Sequence, residues 1–595
     1  MIGTYAAVLA VSGASLAIGQ AAIGLCGRRQ WSWLTPAVGL ALLCAVCWAT
    51  VRLPGDGAVS AILVLVLVIA SVVYLWGRLE GGGEALRTGW PVALAALLAA
   101  SLPFLAEGHF GILGTSFNPD MSQHLLAADR LAHGEGSQLL HQGYPLGPHA
   151  IVVTLGKGLG VGLVQGFSGL TVAVAILAPL TALTAFSSLR PIPRTAAALV
   201  VGLAYVVASY FAQGAFKETM QALFLLAFAL ALRESTRGWR DLPLRFVPAA
   251  LLAVGSVYTY SFPGLIWLVG TAVIWACAEW AWGRSGRSGL GPSPFRAALL
   301  ALLAFLVLIA PEIGRMLDFH SFETFDPNGP GLGNLFGQVS PFEALGIWPS
   351  GDFRLAPGDG AVPAAGYYLG AAFALVLPAY GIGRCWRRRE SAVLAGVAAA
   401  LLAYAAARVA GTPYTAAKAI EVGAPLLALT ILLGLLDCRD DARERRVVGV
   451  PLAGAAATLF VLAAGACSLL ALANAPVGPP SYSAALTGLR PLVAADSTLV
   501  LASEELLVDQ HGTPYIAWEL RGGRVCIATA GEAEQLPPGV RFVVTTGSPA
   551  RPPFPGLRVR RAASPYVLWE TVDPLRGQSP CPLIAVRQAR QGPAR

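Results

Sequence analysis

A polar segment between long apolar runs gathers most of the side chains in this chain that could do chemistry. Its carboxylates and imidazoles include Glu107, Asp120, His124, Asp129, Glu135, His141 and His149, all within residues 107–149. Only 12% of the 595 residues are charged, so such a concentration stands out. Carboxylate and imidazole groups are common general bases in enzymes, and this segment is therefore the predicted reaction centre.

The sequence NPDMSQH at residues 118–124 predicts the start of a helix that continues to about residue 133. Proline directly after an asparagine cap favours the first helical position. A spacing of four places Asp120 and His124 on one face of that helix. The alternative is that Asp120 only stabilises the N-terminal end of the helix, a contribution of about 0.3–1 kcal/mol.

Lysine is rare in this chain, and its positions predict a second group of functional residues. The three lysines are Lys157, Lys217 and Lys418, and arginine supplies the other basic side chains. A charged side chain within a membrane span costs about 2.5–3.5 kcal/mol on insertion scales, so it usually faces a partner, a cavity or a pathway. We expect Lys418 and Arg408, together with Lys217, to hold the phosphate of a lipid carrier at headgroup depth. The alternatives are that Lys418 pairs with Glu421 or extends to the membrane interface.

A carboxylate outside the membrane, combined with cations at headgroup depth, suits one class of reaction. A sugar on polyprenyl phosphate already carries a good leaving group. An inverting transfer therefore needs only a base for the acceptor hydroxyl and cations for the departing phosphate. The residues predict transfer of a sugar from a polyprenyl-phosphate donor to a glycan or lipid acceptor of the cell envelope.

The composition indicates which elements must position these groups. Hydrophobic residues make up 55% of the chain and the mean hydropathy is +0.63, whereas soluble proteins carry about 25% charged residues. We therefore predict a polytopic α-helical membrane protein of about 14 spans, each about 20 residues long. The predicted spans are 2–25, 33–52, 57–76, 89–106, 168–187, 195–213, 216–232, 246–258, 261–282, 296–311, 365–383, 391–409, 414–436 and 447–474.

The distribution of arginine predicts which side of the membrane each loop faces. Seven alternate short loops carry most of the basic residues of the membrane part, and basic residues accumulate in cytoplasmic loops. This alternation requires residues 150–165 to lie along the outer interface without crossing. The N-terminus, the loops 107–167 and 312–364 and the C-terminal tail then lie outside the cytoplasm, and we expect the protein in the cell membrane. Because these loops account for the net charge of +8, the charge does not indicate nucleic-acid binding.

The C-terminal tail, residues 476–595, has the composition of a soluble domain. Its predicted strands are 497–503, 524–530, 541–547 and 566–570. With a helix expected around residues 504–520, they predict a small α/β domain. Cys526 and Cys581 could pair if this domain is extracytoplasmic. The tail shows no phosphate-binding loop, catalytic triad or metal-ligand spacing, so we expect it to dock or cap.

The outer segment resembles the first extracytoplasmic loop of the GT-C superfamily of integral membrane glycosyltransferases. The resemblance rests on the span 89–106, the acidic residue at the helix start in PDMSQHLLAADRLAHG, and YPLGPHA leading into an interfacial helix.

This resemblance implies that Asp120 is the catalytic base and that residues 122–133 and 148–165 are juxtamembrane helices. It also implies that His124 assists Asp120 or binds the acceptor, and that Glu107 supplies a second carboxylate. The family's paired acidic motif is reduced here to Asp120, so no cofactor is certain and a divalent cation requirement stays open.

The second long outer loop, residues 312–364, is rich in glycine and proline and carries Trp348 among acidic residues. Loops of this length tend to be functional or disordered. Aromatic and acidic side chains commonly contact sugars, so we expect an acceptor-side lid. A solvated connector is the alternative.

The chain is thus predicted to have four parts. They are the N-terminal transmembrane helices 1–106, the catalytic loop 107–167, the transmembrane core 168–475 and the α/β domain 476–595. Two other functions stay open. One is a transporter or flippase of lipid-linked glycans, in which the buried charges would line a pathway. The other is a non-catalytic membrane scaffold derived from the glycosyltransferase fold.

Overall fold

The structure is a computed structural model that describes most of the chain. The described residues are 1–115, 120–134, 138–284, 293–319, 331–360, 362–436, 449–494, 496–503, 512–530, 535–547 and 551–572. They belong to two compact units. The first unit is Met1–Asn118 with Leu131–Val477, and the second is Pro119–Arg130 with Gly478–Arg595.

Helices dominate the described residues, as the composition predicts. The helices are α1 (Ile2–Leu25), α2 (Thr35–Val51), α3 (Asp56–Leu75), α4 (Gly82–Ala106), α5 (Met121–Ala132), α6 (Gln138–His141), α7 (Gly147–Leu159), α8 (Leu163–Phe186), α9 (Pro191–Gly202), α10 (Tyr205–Ala212), α11 (Phe216–Ser235), α12 (Val247–Arg284), α13 (Pro294–Ile309), α14 (Ile313–Asp318), α15 (Ala364–Arg387), α16 (Ser391–Ala410), α17 (Pro413–Leu436), α18 (Gly449–Ala473), α19 (Ala484–Val493) and α20 (Gly512–Glu519). The strands are β1 (Ile112–Leu113), β2 (Val477–Gly478), β3 (Ser497–Ala502), β4 (Arg524–Thr529), β5 (Phe542–Thr546), β6 (Leu557–Ala563) and β7 (Tyr566–Thr571).

The helices of the first unit confirm a polytopic α-helical membrane protein. Among the described residues, 10 helices are long and apolar enough to cross a membrane, and the bent pair α9 and α10 would raise the count to 11. The expected count of about 14 spans is higher for three reasons. The predicted spans 246–258 and 261–282 form one kinked helix, α12. Helix α2 has only 17 residues, and α11 carries charged side chains near both ends.

Three helices, α8, α11 and α17, form the buried centre of the first unit. Most residues in each of them are buried. Elsewhere, small residues let helices approach closely. A Cβ added to Gly39 in α2 would lie 1.8 Å from the carbonyl oxygen of Ser15 in α1. Small residues at such crossings are the usual means by which membrane helices pack.

Helix α7 corresponds to the predicted interfacial helix 148–165, but it ends at Leu159. Its residues from Gly147 to Leu155 are all buried, and Thr154 shares a 2.6 Å hydrogen bond with Ser60 of α3. Lys157, near its end, is exposed. Helix α7 is thus packed into the first unit along most of its length, and its place at the membrane interface stays a prediction.

A buried carboxylate joins loops that the sequence assigns to the cytoplasmic side. Glu390, between α15 and α16, is 3% exposed. Its carboxylate accepts hydrogen bonds from Nε and Nη2 of Arg233 at 2.7 and 2.9 Å, and Arg237 lies 2.9 Å away. Burial opposes ionisation, but the hydrogen bonds from Arg233 and the charges of both arginines outweigh it and lower the pKa of Glu390.

The second unit contains a five-stranded mixed sheet in the order β4-β3-β5-β7-β6. Strand β3 runs parallel to β4 and β5, whereas β7 runs antiparallel to β5 and β6. Helices α19 and α20 supply Leu486, Leu489 and Ile516 to an apolar core that includes Val500 and Val544 of the sheet. The expected α/β domain is confirmed with its four predicted strands. Strand β6 was not predicted because three of the seven residues in its sequence, LRVRRAA, are arginines.

The second unit also contains the segment 119–130, and with it most of α5. The sequence predicts this helix as part of an outer loop and gives no sign that it groups with the tail. Its cap, residues 116–119, lies outside the described residues. In the same unit Cys526 is disulfide-bonded. Because Cys438 and Cys581 also lie outside the described residues, the pair Cys526–Cys581 stays a prediction.

Glu390→Gln is expected to lower the free energy of unfolding in detergent micelles by about 3–5 kcal/mol, because it removes one partner of a buried ion pair. The pH dependence has a defined sign. The folded pKa of Glu390 lies below its ordinary value of 4.5, so the stabilisation is fully present above about pH 4.5 and is lost as pH falls through the folded pKa. Thermal unfolding of the variant should lack this acid-dependent step. The control is Glu84→Gln, at an exposed carboxylate, and equal effects of the two variants would contradict the assignment.

Candidate functional site

Two of the three lysines converge on one glutamate in the first unit. Lys217 and Glu218 lie in the first turn of α11, and Lys418 lies in the second turn of α17. Nζ of Lys418 is 3.0 Å from Oε1 of Glu218, and Lys217 is close enough to interact electrostatically with the same carboxylate. The side chains of Lys418 and Glu218 are 12% and 7% exposed. This ion pair is therefore largely, but not completely, removed from solvent.

Both ammonium groups lie against tyrosine rings. Nζ of Lys217 is 4.1 Å from the ring centre of Tyr144, and Nζ of Lys418 is 4.2 Å from the ring centre of Tyr414. Such contacts contribute about 0.5–2 kcal/mol each. The two rings hold the ammonium groups in position without neutralising their charge.

A second carboxyl group, that of Glu421, lies one turn after Lys418. Glu421 is fully buried, and neither of its oxygens accepts a hydrogen bond from a described residue. Lys418 pairs with Glu218 instead, so the alternative that Lys418 pairs with Glu421 is wrong. Burying an ionised carboxylate without a partner is very costly, and we therefore treat Glu421 as uncharged.

We call Lys217, Glu218, Lys418 and Glu421 the lysine cluster. The ammonium groups of Lys217 and Lys418 both lie near the carboxylate of Glu218, and the Lys418–Glu218 pair is partly exposed. Lysine binds phosphate as a compact point charge, so the cluster is a candidate site for a phosphate.

Part of the second long loop, residues 312–364, lies against Tyr414 and Gln213, two neighbours of the lysine cluster. The amide of Tyr414 donates to the carbonyl of Gly331 at 3.4 Å, and the side-chain amide of Asn334 donates to that of Gln213, which precedes α11. Gly333 has a φ of +56°, and a Cβ there would lie 2.7 Å from the ring of Tyr414. Glycine is thus required for the loop to cover this ring. The predicted role of the loop as an acceptor-side lid stays a prediction.

A buried arginine fixes the turn that carries Tyr144. Nη1 of Arg315 donates to the carbonyl of Gly143 at 2.7 Å, and Nη2 donates to that of Val257 at 3.2 Å. Arg315 is ion-paired with Glu312, whose other oxygen accepts from the indole of Trp48 at 2.6 Å. This network, which the sequence did not predict, links the turn before α7 to the kink of α12.

The kink of α12 has a strained backbone. Ser261 has φ 60° and ψ −157°, a region that residues other than glycine rarely adopt and that costs about 1–3 kcal/mol. The preceding residue, Tyr260, interacts electrostatically with Lys418. Strain of this kind clusters at functional sites, and here it lies in the helix whose kink borders the lysine cluster.

In the second unit, Asp120 lies directly before α5 and His124 is buried one turn later. Tyr482 lies near Asp120: burial raises the pKa of the Tyr482 phenol, and the carboxylates of Glu519 and Asp120 raise it further. Asp120 itself is only partly exposed. The structure therefore holds the predicted base at a helix start within the second unit.

The other predicted site residues have different environments. Arg408 is exposed at the end of α16, and Glu107 is exposed directly after α4. Trp348 is 1% exposed and packs edge-on against Tyr367 with the ring centres 5.1 Å apart. A buried indole reaches a sugar only if the loop moves. The roles of these three residues stay predictions.

His149, from the polar segment, is a core residue of the first unit. Its ring is fully buried and lies edge-on to Phe167 and Phe216 at 5.4 and 5.7 Å. Burial lowers its pKa to about 3, so the imidazole is neutral at physiological pH. Within the described part of the chain, no three His, Cys, Asp or Glu side chains form a group that could hold a metal ion.

Comparison with solved structures finds similar folds. The chain is similar to the arabinofuranosyltransferase AftD from Mycobacteria, with 15% identity and a TM-score of 0.47, over 82% of this chain and 40% of that one. A mutant AftD structure gives 16% identity and a TM-score of 0.47, over 82% and 41%. ArnT from Cupriavidus metallidurans, solved bound to undecaprenyl phosphate, gives 14% and 0.48, over 82% of this chain and 100% of that one.

The likeness is one of fold. This chain spans less than half of AftD. No protein-family model and no curated protein sequence matches the chain. Because the TM-scores lie below 0.5, we argue the role of each residue from this chain alone.

Glu218→Gln and Glu421→Gln are expected to have very different effects on stability. Glu218→Gln leaves Lys418 buried without its carboxylate, which should cost about 3–5 kcal/mol. Glu421→Gln removes no hydrogen bond and no ionised group, so its effect should be much smaller. Thermal unfolding of both variants in the same micelles measures the difference. A greater loss in Glu421→Gln would show that Lys418 depends on the other glutamate.

Proposed function

We propose that this protein is a membrane glycosyltransferase that moves a sugar from a polyprenyl-phosphate donor to a glycan or lipid acceptor of the cell envelope. The observation that supports this most is the convergence of Lys217 and Lys418, about 200 residues apart in the chain, on Glu218. Charged groups within apolar helices are expensive and are usually retained for function.

The lysine cluster would bind the donor phosphate. Two lysine ammonium groups lie close together there, and the side chains of Lys418 and Glu218 are partly exposed. During transfer, negative charge develops on the phosphate as the bond to the sugar breaks, and positioned cations stabilise that charge. Arg408, at the end of the neighbouring helix α16, is a further candidate for this role.

Asp120 would act as general base. Its carboxylate takes the proton of the acceptor hydroxyl while the hydroxyl oxygen attacks the anomeric carbon of the sugar. The bond between that carbon and the phosphate oxygen breaks on the opposite face, so the configuration inverts. The electron pair stays on the polyprenyl phosphate, which leaves as an anion, and the proton ends on Asp120. His124 would support this step from the same helix.

We further propose that the tail and the N-terminus lie outside the cytoplasm. The disulfide of Cys526 supports this orientation, because disulfides persist in oxidising compartments and are rare in the cytosol. The arginine-rich loops would then face the cytoplasm. Sugar transfer would take place at the outer face of the cell membrane.

Transport of a lipid-linked glycan is the second candidate. The first unit contains the kinked helix α12 and the bent pair α9 and α10, with an angle of 55° between them. Broken helices line the binding sites of many transporters, and a buried Lys–Glu pair could serve such a pathway. A transporter would not need a base at Asp120.

Lys217→Gln is expected to weaken binding of undecaprenyl phosphate about 10- to 100-fold, since a charge-assisted contact contributes about 1.5–3 kcal/mol. Lys217 is the better choice for this test because its loss leaves the Lys418–Glu218 pair intact. The matched control is Lys157→Gln, which removes an exposed lysine outside the cluster and should leave affinity unchanged. Native mass spectrometry in nanodiscs provides the affinities. Equal affinities of both variants and the parent protein would argue against a phosphate site at the cluster.

Asp120→Asn is expected to reduce sugar transfer about 10²- to 10⁴-fold, the usual contribution of a general base, and to leave undecaprenyl phosphate binding unchanged. Transfer is followed in membranes supplied with a panel of radiolabelled polyprenyl-phosphate sugars. If flipping of a fluorescent polyprenyl-phosphate sugar in vesicles proceeds at the parent rate in the variant while transfer is absent from both proteins, the transporter is favoured. A scaffold would show neither activity in either protein.

A further inference from the structure

The segment that carries Asp120 belongs to the same compact unit as the C-terminal sheet domain. Helix α5 is buried along much of its length, and Ser122, Leu125 and Ala128 are each at most 1% exposed. A helix in the middle of an otherwise membrane-embedded sequence has thus been incorporated into a domain that begins about 350 residues later. This grouping needs a physical cause within the second unit.

An ion pair contributes to this grouping. Nε of Arg521, two residues after the end of α20, lies 3.8 Å from Oδ1 of Asp129 in α5. The side chains are 22% and 14% exposed, so the pair is shielded from solvent on most sides. Burial and the charge of Arg490 lower the pKa of Arg521 to about 10, against the opposing effect of Asp129 and Glu519. Arg521 is therefore still charged at neutral pH.

Arg521 is itself held rigidly by its neighbours. Its guanidinium carbon lies 3.5 Å from the ring centre of Trp518, and Nη1 donates to the carbonyl of the same residue at 2.7 Å. Arginine stacks on aromatic faces and keeps its charge when it does so. The guanidinium is thus presented to Asp129 in a fixed orientation, which an unconstrained surface arginine would not offer.

A buried glutamate joins the two helices next to Arg521. Glu519, the last residue of α20, is fully buried. Its carboxylate accepts from the amide of Tyr482 at 2.7 Å and from the hydroxyl of Thr487, and its carbonyl accepts from Nε of Arg490 at 2.7 Å. These bonds tie α19 to α20. They also fix Tyr482, whose phenol pKa is raised in part by the charge of Asp120.

We infer that the C-terminal domain positions the proposed catalytic helix, with Arg521 as the positioning residue that anchors α5 through Asp129. The inference rests on the proposed function of Asp120. Asp129 follows Asp120 by nine residues, which is about 13 Å along a helix. Asp129 is anchored at one end of that distance and Asp120 lies near Tyr482 at the other, so the direction of α5 is defined. A displacement of about 1 Å at a reacting group can cost about 10²-fold in rate.

Arg521→Gln tests the inference, with Arg524→Gln, at an exposed arginine of β4, as the matched control. We expect Arg521→Gln to lower kcat for sugar transfer about 10- to 100-fold, with affinity for undecaprenyl phosphate and the KM for the donor unchanged. Hydrogen exchange of the amides of residues 121–132 should become faster in Arg521→Gln and stay unchanged in Arg524→Gln. The charge exchange Arg521→Asp with Asp129→Arg should restore part of both properties, which a simple loss of folding would not allow.

The outcomes separate the two proposals. If exchange in α5 and kcat are the same in Arg521→Gln as in the parent, the positioning inference is overturned. If Asp120→Asn leaves transfer intact, the proposed function of Asp120 fails, whatever the exchange data show. If exchange becomes faster but kcat is unchanged while Asp120→Asn is inactive, the anchor exists without a catalytic effect, which also overturns the inference.

Discussion

A lysine ammonium buried among apolar helices must have an anionic partner, and in this protein that partner is Glu218. The pair joins α11 to α17, two of the three helices at the centre of the first unit. Removing either charge would leave the other in a medium that does not solvate it. Tyr144, Tyr414 and the loop residue Gly333 are arranged around the two lysines. The geometry of the candidate site therefore follows from the need to satisfy one buried charge.

The sequence indicated that the lysines are candidate site residues, but it did not predict that Glu218 is their partner. Three lysines among so many arginines were conspicuous, and two of them do converge. The sequence did not show that Lys418 pairs with Glu218 instead of Glu421. Glu421 lies one turn from Lys418 in the same helix, whereas Glu218 lies about 200 residues away. Pairing between helices depends on how the helices pack, which one sequence does not reveal. An acidic residue directly after Lys217 at the start of an apolar helix was the available signal.

Other differences have similar causes. The sequence of α12 predicts two spans because Pro263 and the polar residues before it interrupt the apolar pattern. In the structure the helix continues through a strained kink at Ser261. The pattern of apolar residues does not predict strand β6, because arginines occupy this exposed strand. The grouping of α5 with the tail includes an ion pair between Asp129 and Arg521, which are almost 400 residues apart. Local patterns predicted the long helices and four strands of the tail but not the short helices α6, α14 and α19, and the long-range ion pairs came only from the structure.

The two units carry different parts of the proposed reaction. The first offers cations within an apolar bundle, where a lipid phosphate can be held. The second contains the carboxylate of Asp120 at a helix start, and in the same unit Arg521 lies 3.8 Å from Asp129 of that helix.

The most direct measurement is the position of the donor phosphate in an experimental structure of this protein, determined in lipid nanodiscs with undecaprenyl phosphate. We expect phosphate oxygens within about 4 Å of Nζ of both Lys217 and Lys418, the distance of an ion pair. A phosphate that lies away from both lysines, with the Lys418–Glu218 pair unchanged, would contradict the assignment of the lysine cluster as the donor site.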